Sequence, residues 1–345
     1  LNLRRIILPQ NDVSKEPFND DRPKEFTEEI DEHLRSVKNP TERRTVARLL
    51  RDISALPLEH TRAALETSAL TAAVSLRASI EFLRATTLAS QILEPAELRA
   101  WGELGRRLTM ADVESGVSFF AAGTNDFAAV PSVARPFVFQ VCARQMILSA
   151  STAAETFRSA PALAEKVPDG GLLRSIYEVA ASIARRSAKH SAEFLQATPN
   201  VFATLNSNQE LTNAAIELVK AFAEHAGGIA ADAWLSLPAA VEKLEADQSL
   251  RLMRRSSNFL ERGGAAALHV LTGGGDILRT LPECFDDWIE LLWTIAPHGN
   301  AGLVAFIRAS PGFFAGVATI RDHRDAATLA RRVIILTREV GRVDS

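Results

Sequence analysis

Cysteine is nearly absent from this chain: 345 residues hold two, Cys142 and Cys284, far apart and each in an apolar helical setting. That excludes a disulfide-framed secreted domain and fits a pair of buried thiols in a reducing compartment. An excess of positive charge is absent too. A net charge of −3 and a pI near 6.2 lack the basic footprint of a nucleic-acid-binding domain. Long hydrophobic runs are missing: the apolar stretches read as much shorter than the roughly 20 residues a helix needs to cross a bilayer. The opening segment Leu1–Pro9 is charged and too short for the apolar core of a signal peptide. A cytoplasmic location without membrane insertion is the expectation. A first residue that is Leu1 rather than Met, and an end inside an expected helix, Ala326–Val340, suggest a piece of a longer protein.

What the chain does have is a recurring phrase. Phe157-Arg158-Ser159-Ala160-Pro161 returns as Leu195-Gln196-Ala197-Thr198-Pro199 and as Ile307-Arg308-Ala309-Ser310-Pro311. Weaker copies at Thr87, Thr124, Pro238 and Gly275 place successive copies 36 to 39 residues apart. A period in this range marks a stacked helical-repeat array. Each unit of such an array contacts only its neighbours, so the core grows linearly and the length need not split into several globular domains.

Aligned on the Pro-like position, three columns are apolar throughout. Four residues earlier stand Leu83, Phe120, Phe157, Leu195, Trp234, Leu271 and Ile307; six residues later stand Leu93, Val130, Val167, Leu205, Leu244, Leu281 and Val317. Twenty-three residues earlier stand Ala64, Trp101, Val138, Ile176, Ala215, Leu252 and Trp288. A fourth column, Ser79, Gly116, Ala153, Ser191, Ala230, Ala267 and Leu303, is small in six of seven, which lets a neighbouring helix approach closely. Each unit therefore reads as a first helix carrying the Trp101-type residue and a second carrying the Phe157-type residue. The Pro or Gly is expected to end the second helix, and a short third helix to follow.

The layout that results is an all-α, armadillo- or HEAT-like right-handed solenoid of about seven repeats. Residues 1–23 form an extended N-terminal segment with Pro9, Pro17 and Pro23. Residues 24–57 form a helical cap of Lys24–Val37 and Thr41–Leu56, the latter opened by Asn39-Pro40, an N-cap followed by Pro at the first helical position. Residues 58–320 carry the array, and 321–345 a C-terminal helix or the start of a further repeat. Gly227-Gly228, Gly263-Gly264 and Gly273-Gly274-Gly275 weaken helix propensity by roughly 1 kcal/mol each and mark places where a superhelix can bend.

No catalytic, cofactor or metal motif stands out. Asp286-Asp287-Trp288-Ile289-Glu290 resembles the aspartate-rich motif of all-α isoprenoid-diphosphate enzymes, in which acids one turn apart hold Mg²⁺. Against that, Trp288 holds an inward column position, acids suit a helix start, and a second metal-binding motif is absent. The seven histidines form no HxxxH or HExxH pair. Gly273-Gly274-Gly275-Asp276 lacks the strand and spacing of a nucleotide-binding loop. Arginines recur: Arg84, Arg158 and Arg308 share one register position and could form a ladder facing an acidic partner, whereas cations also suit helix ends and lay their stems along the surface.

Glu97-Leu98-Arg99-Ala100-Trp101-Gly102-Glu103-Leu104-Gly105, then Ser115-Gly116-Val117-Ser118-Phe119-Phe120, and the later Phe306–Pro311 copy resemble the helical-repeat region of certain bacterial proteins. These are von Willebrand-A-containing accessory proteins of MoxR-type AAA+ ATPases, of the Rubisco-activase adaptor and nitric-oxide-reductase activation type. The resemblance covers roughly residues 58–320. The D-x-S-x-S metal motif of the von Willebrand-A domain is missing; Asp52-Ile53-Ser54-Ala55-Leu56 lacks its final Ser. The resemblance implies a repeat region that couples a target to an ATPase ring. The expectation is thus a non-enzymatic scaffold or adaptor that takes protein partners, needs no cofactor, and offers Arg84, Arg158 and Arg308 as partner-binding residues. The alternatives are an isoprenoid-diphosphate enzyme working through Asp286, Asp287 and Glu290, and a HEAT-like nucleic-acid-binding protein.

Overall fold

A computed structural model describes residues 37–205, 208–298, 300–319 and 323–343. Its regular structure is helical, with no strand among the described residues. The extended segment expected over 1–23 and the expected helix Lys24–Val37, apart from Val37, lie outside the described residues. The chain divides into two compact units, Leu1–Gly171 and Leu172–Ser345.

The first unit contains α1 (Pro40–Ile53), α2 (Leu58–Ala72), α3 (Leu76–Ala89), α4 (Pro95–Ala111), α5 (Val113–Ala122), α6 (Arg135–Leu148) and α7 (Ala150–Lys166), with a 3₁₀ turn at Asn125–Ala129. Asn39 caps α1 as its sequence predicts: its Oδ1 accepts from the Thr41 N–H at 2.9 Å, and Pro40 takes the first turn, where a missing N–H is harmless. The second unit is built from α8 (Gly170–Ala184), which opens at the boundary, α9 (Ala188–Thr204), α10 (Gln209–His225), α11 (Ala230–Val241), α12 (Ala246–Gly263), α13 (Ala267–Thr280), α14 (Phe285–Ile295), α15 (Asn300–Ala318) and α16 (His323–Val343).

Helices pack on the next helix and on the next but one, which makes two layers in each unit. In the first unit α2, α4 and α6 form one layer and α1, α3 and α5 the other, while α7 packs on α4 and α6. In the second, α10, α12, α14 and α16 form one layer and α9, α11, α13 and α15 the other. The three apolar columns are the core of this arrangement. Every member is buried except Leu244, which is half-buried. Trp101 sits in a ring cluster with Phe82, Phe119 and Phe120, at centroid distances of 5.2 to 6.2 Å. Such offset contacts add to the stabilisation from area burial alone.

The small column marks where the first and second helices of a pair cross. Residue i of the second helix meets residue i−11 of the first. Ser79 Oγ donates to the Ser68 carbonyl at 3.0 Å, and Ser191 Oγ to the Ala180 carbonyl at 2.9 Å. The thiol of Cys142 reaches the Ala153 carbonyl the other way, at 3.4 Å. In the α4–α5 pair the two register positions hold Gly105 and Gly116, of which Gly116 packs on Thr109 and Gly105 on the Phe120 ring. A Cβ on Gly116 would lie 2.0 Å from Thr109 Oγ1 and 2.8 Å from Thr109 Cα, so no side chain fits.

The prolines do not end the second helices. Pro161, Pro199, Pro238 and Pro311 lie inside α7, α9, α11 and α15, and no separate third helix comes after them among the described residues. The missing hydrogen bond and ring clash cost about 3 kcal/mol. Burial of residues beyond each proline offsets this: Leu163 and Ala164, Val201, Ala240 and Val241, and Phe314 and Val317 are all in the core. The turn beside two of these prolines carries an extra side-chain hydrogen bond. Just before Pro199 and Pro311, Thr198 and Ser310 donate their hydroxyls to the carbonyls of Phe194 and Phe306. The same hydroxyls accept from buried indoles, Trp234 Nε1 at 3.2 Å and Trp288 Nε1 at 3.0 Å.

Where the expected stop does occur, the proline is missing. Helix α5 ends at Gly123, whose φ of +69° favours glycine, and the only 3₁₀ turn resembling a third helix among the described residues of that unit comes next. Gly275, expected as another terminator, is inside α13; a Cβ there would sit 2.3 Å from the Ala240 carbonyl oxygen. A second expectation also changes. Ala301–Ala318 in α15 is long and apolar enough to cross a bilayer by length and composition. In the structure this helix buries Leu303, Ile307, Phe314 and Val317 and packs on α13.

Replacing Gly116 tests the crossing. Gly116→Val is expected to destabilise the fold by about 2–3 kcal/mol through overpacking against Thr109, read as a lower midpoint in thermal or urea unfolding. An unchanged midpoint would mean that the helices do not approach this closely.

Candidate functional site

The three arginines singled out by register are all exposed on second helices, Arg84 on α3, Arg158 on α7 and Arg308 on α15. Each is engaged locally. Arg84 pairs with Glu81, one turn earlier. The guanidinium of Arg158 lies 5.6 Å from the centroid of Phe119, within cation–π range. Arg308 stands 3.3 Å from Nε2 of His269, whose basicity is lowered by burial and by the Arg308 charge. Between Arg84 and Arg158 the register position holds Ala121, so within the first unit the two cations are not consecutive members of a ladder.

Several of the other arginines tie adjacent helices of one layer together. Arg77 pairs with Glu114, Arg99 with Glu66 at 2.9 Å and Arg254 with Glu210 at 3.0 Å. Backbone carbonyls at element ends are taken as well: Arg135 holds Ile92, Arg251 holds Pro282, Arg279 holds Glu242 and Arg331 holds Glu283. On α4, Glu103 accepts from both Arg106 and Arg107. The Arg106 hydrogen bond, opposed by burial and joined by Arg107, holds that carboxyl below its usual range.

Asp286 and Asp287 belong to the same network. Asp286 takes Arg251 at 2.7 Å and Arg255 at 3.0 Å, both from α12. Asp287 takes Arg331 from α16, at 2.9 Å. The two carboxylates thus turn to opposite neighbours, while Glu290 is exposed and Trp288 fully buried between them. Burial works to raise the Asp286 pKa, but the Arg251 hydrogen bond and the charges of Arg251 and Arg255 outweigh it and the carboxyl stays below the usual aspartate range. Among the described residues no three His, Cys, Asp or Glu side chains gather in a group that could hold a metal ion. Burial pushes the Cys142 thiol up to about 12, and burial with the nearby Glu283 charge pushes Cys284 up to about 11. At neutral pH neither is a nucleophile.

Two shallow clefts open between first helices. One, of about 160 Å³, lies between α2 and α4 and is lined by Glu66, Thr67, Leu70, Arg99, Glu103 and Arg106. The other, of about 80 Å³, lies between α8 and α10, with Glu178, Glu217, Lys220 and Glu224 around Val179 and Ile216. Both fall well below the roughly 300–1,000 Å³ of small-molecule sites.

A further surface escaped the sequence reading. The tight turns α2–α3, α4–α5 and α6–α7 expose Val74, then Met110 and Val113, then Ile147 and Leu148. Met110 and Ile147 stand 37 residues apart in the same register, and the Arg77–Glu114 pair joins the first two turns directly. The available signal was apolar residues at the turn position where later copies carry Arg185-Arg186, Glu224-His225 and Glu261-Arg262.

The chain matches no family model, no curated protein and no solved structure.

The Asp286 ties have a measurable pH signature. A carboxyl with a depressed folded pKa stabilises the fold above its unfolded value of about 3.9, and the contribution disappears as pH falls through the folded value. Asp286→Asn is therefore expected to lower Tm at neutral pH, with the gap to wild type closing in acid, below about pH 4. A gap independent of pH would show that charge pairing is not what Asp286 contributes.

Proposed function

We propose that this chain is a non-enzymatic protein-binding scaffold or adaptor, built as an armadillo- or HEAT-like right-handed solenoid of about seven repeats. It couples a target to an AAA+ ATPase of the MoxR type in the bacterial cytoplasm, as the resemblance of its repeat phrases implies. The observation that carries the reading is the pairing of consumed chemistry with shallow relief. Asp286 and Asp287 are held by arginines, both thiols are buried and protonated, and the clefts of about 80 and 160 Å³ suit single side chains of a protein partner rather than a small substrate. The burial of every member of the repeat columns but Leu244 supports the solenoid. The isoprenoid-diphosphate reading through Asp286, Asp287 and Glu290 gains no support from this geometry.

In this reading Arg84, Arg158 and Arg308 contribute cations from one register position to an acidic partner. The test is calorimetric binding of the chain to a purified MoxR-type ATPase, together with the ATPase rate in its presence. Wild type is expected to bind and to change the rate; Arg158→Glu with Arg308→Glu is expected to weaken binding at least tenfold with an unchanged melting curve. No binding and no effect on the rate would sink the adaptor reading. Binding that the reversal leaves intact would remove these arginines from it.

A further inference from the structure

The exposed turns of the first unit make a row of apolar side chains. Ile147 is 78% exposed, Met110 61%, Leu148 55%, Val113 41% and Val74 37%; Leu70, one turn before Val74 on α2, adds 58%. Together they present on the order of 600 Å² of apolar surface, the top of the range for the largest patch on a monomer. Repeat construction does not explain it. The corresponding turns of the second unit expose Arg185 and Arg186, then Glu224, His225 and Gly228, then Glu261, Arg262 and Ala265.

The charges along the first two turns of this row balance. Arg77, Arg99, Arg106 and Arg107 face Glu66, Glu103, Asp112 and Glu114, and all but Asp112 are already joined in ion pairs. A rim of one sign would draw an oppositely charged partner and repel its own copy; a neutral, internally paired rim does neither. The edge is also periodic. Three equivalent turns at the spacing of packed helices match another row of three at the same spacing, and only this chain is certain to carry one. With its rim, the patch approaches the roughly 800 Å² per partner of a standard stable interface.

We infer that the edge formed by the α2–α3, α4–α5 and α6–α7 turns is a self-association surface, and that two copies pair through it about a two-fold axis. In an isologous pair of three-turn rows the middle turn meets itself, so Met110 and Val113 lie near the axis while Val74 meets Ile147 and Leu148 of the second copy. This inference is independent of the scaffold reading: a chain that dimerises need not bind an ATPase, nor the reverse.

The experiment is sedimentation equilibrium on the whole chain with two variants. Wild type at tens of micromolar is expected at twice the 37.5 kDa chain mass. Met110→Glu with Ile147→Glu alters only exposed side chains and is expected to sediment as a monomer with an unchanged circular-dichroism melt. Met110→Cys is expected to cross-link between copies with a short bismaleimide, whereas Leu235→Cys, exposed on α11 of the second unit, is not. The inference is overturned if wild type is monomeric, if the double variant stays dimeric, or if Met110→Cys cross-links no better than Leu235→Cys. Because the Cys arm leaves the apolar edge nearly intact, it reads the surface even if the double Glu variant fails to fold.

Discussion

Everything else in the fold depends on how closely paired helices cross. At residue i of a second helix and i−11 of the first, main chains come within reach of a single side-chain atom. At some crossings a hydroxyl or thiol donates to a carbonyl of the other helix, as at Ser79, Cys142 and Ser191, and at another Gly116 packs directly on Thr109. Only at that separation can the large residues one turn away reach the opposite layer. Leu83, Phe120, Phe157 and Trp234 are buried because the crossing beside them is tight. A larger residue forced into one of these crossings would part the helices and open voids beside those side chains, although Leu303, the one large member of the column, is itself buried, so not every crossing is this tight.

Along the layers, arginine does comparable work. The core columns are apolar and fix no lateral register by themselves, since neighbouring helices could slide. Charged ties such as Arg99–Glu66 and Arg251–Asp286, and guanidinium contacts to the carbonyls of Ile92, Pro282, Glu242 and Glu283, bind particular positions to each other. Individually an exposed pair stabilises by less than about 1 kcal/mol. Their contribution is register more than stability. It is also why arginines that looked available for a partner are in many cases committed within the chain.

The parts of the fold that could be read from sequence are those set by side-chain periodicity. The three apolar columns, the small column and the Asn39-Pro40 helix start all appear as expected, because each depends on residue type at a fixed spacing. The prolines mislead because the local cost of a proline in a helix is outweighed by burial of the residues beyond it, such as Val201, Phe314 and Val317. Asp286 and Asp287 could be seen as helix-start acids, but Arg251, Arg255 and Arg331 become their partners only once helices 31 to 44 residues apart are packed together. The apolar turns are harder to read for a related reason: periodicity identifies the buried face of a helix, whereas exposed ends show only by comparing one turn position between copies.

The indoles have a consequence of another kind. Trp101 is fully enclosed in the first unit, and Trp234 and Trp288 are enclosed in the second, each of the latter donating to a single hydroxyl. Emission from a tryptophan depends on the polarity and mobility of its surroundings, so these three rings are native optical probes. Trp101 is the one tryptophan of the first unit, and the other indoles of the chain belong to the second. Without any added label, the chain's own fluorescence can therefore distinguish loosening in one half from loosening in the other.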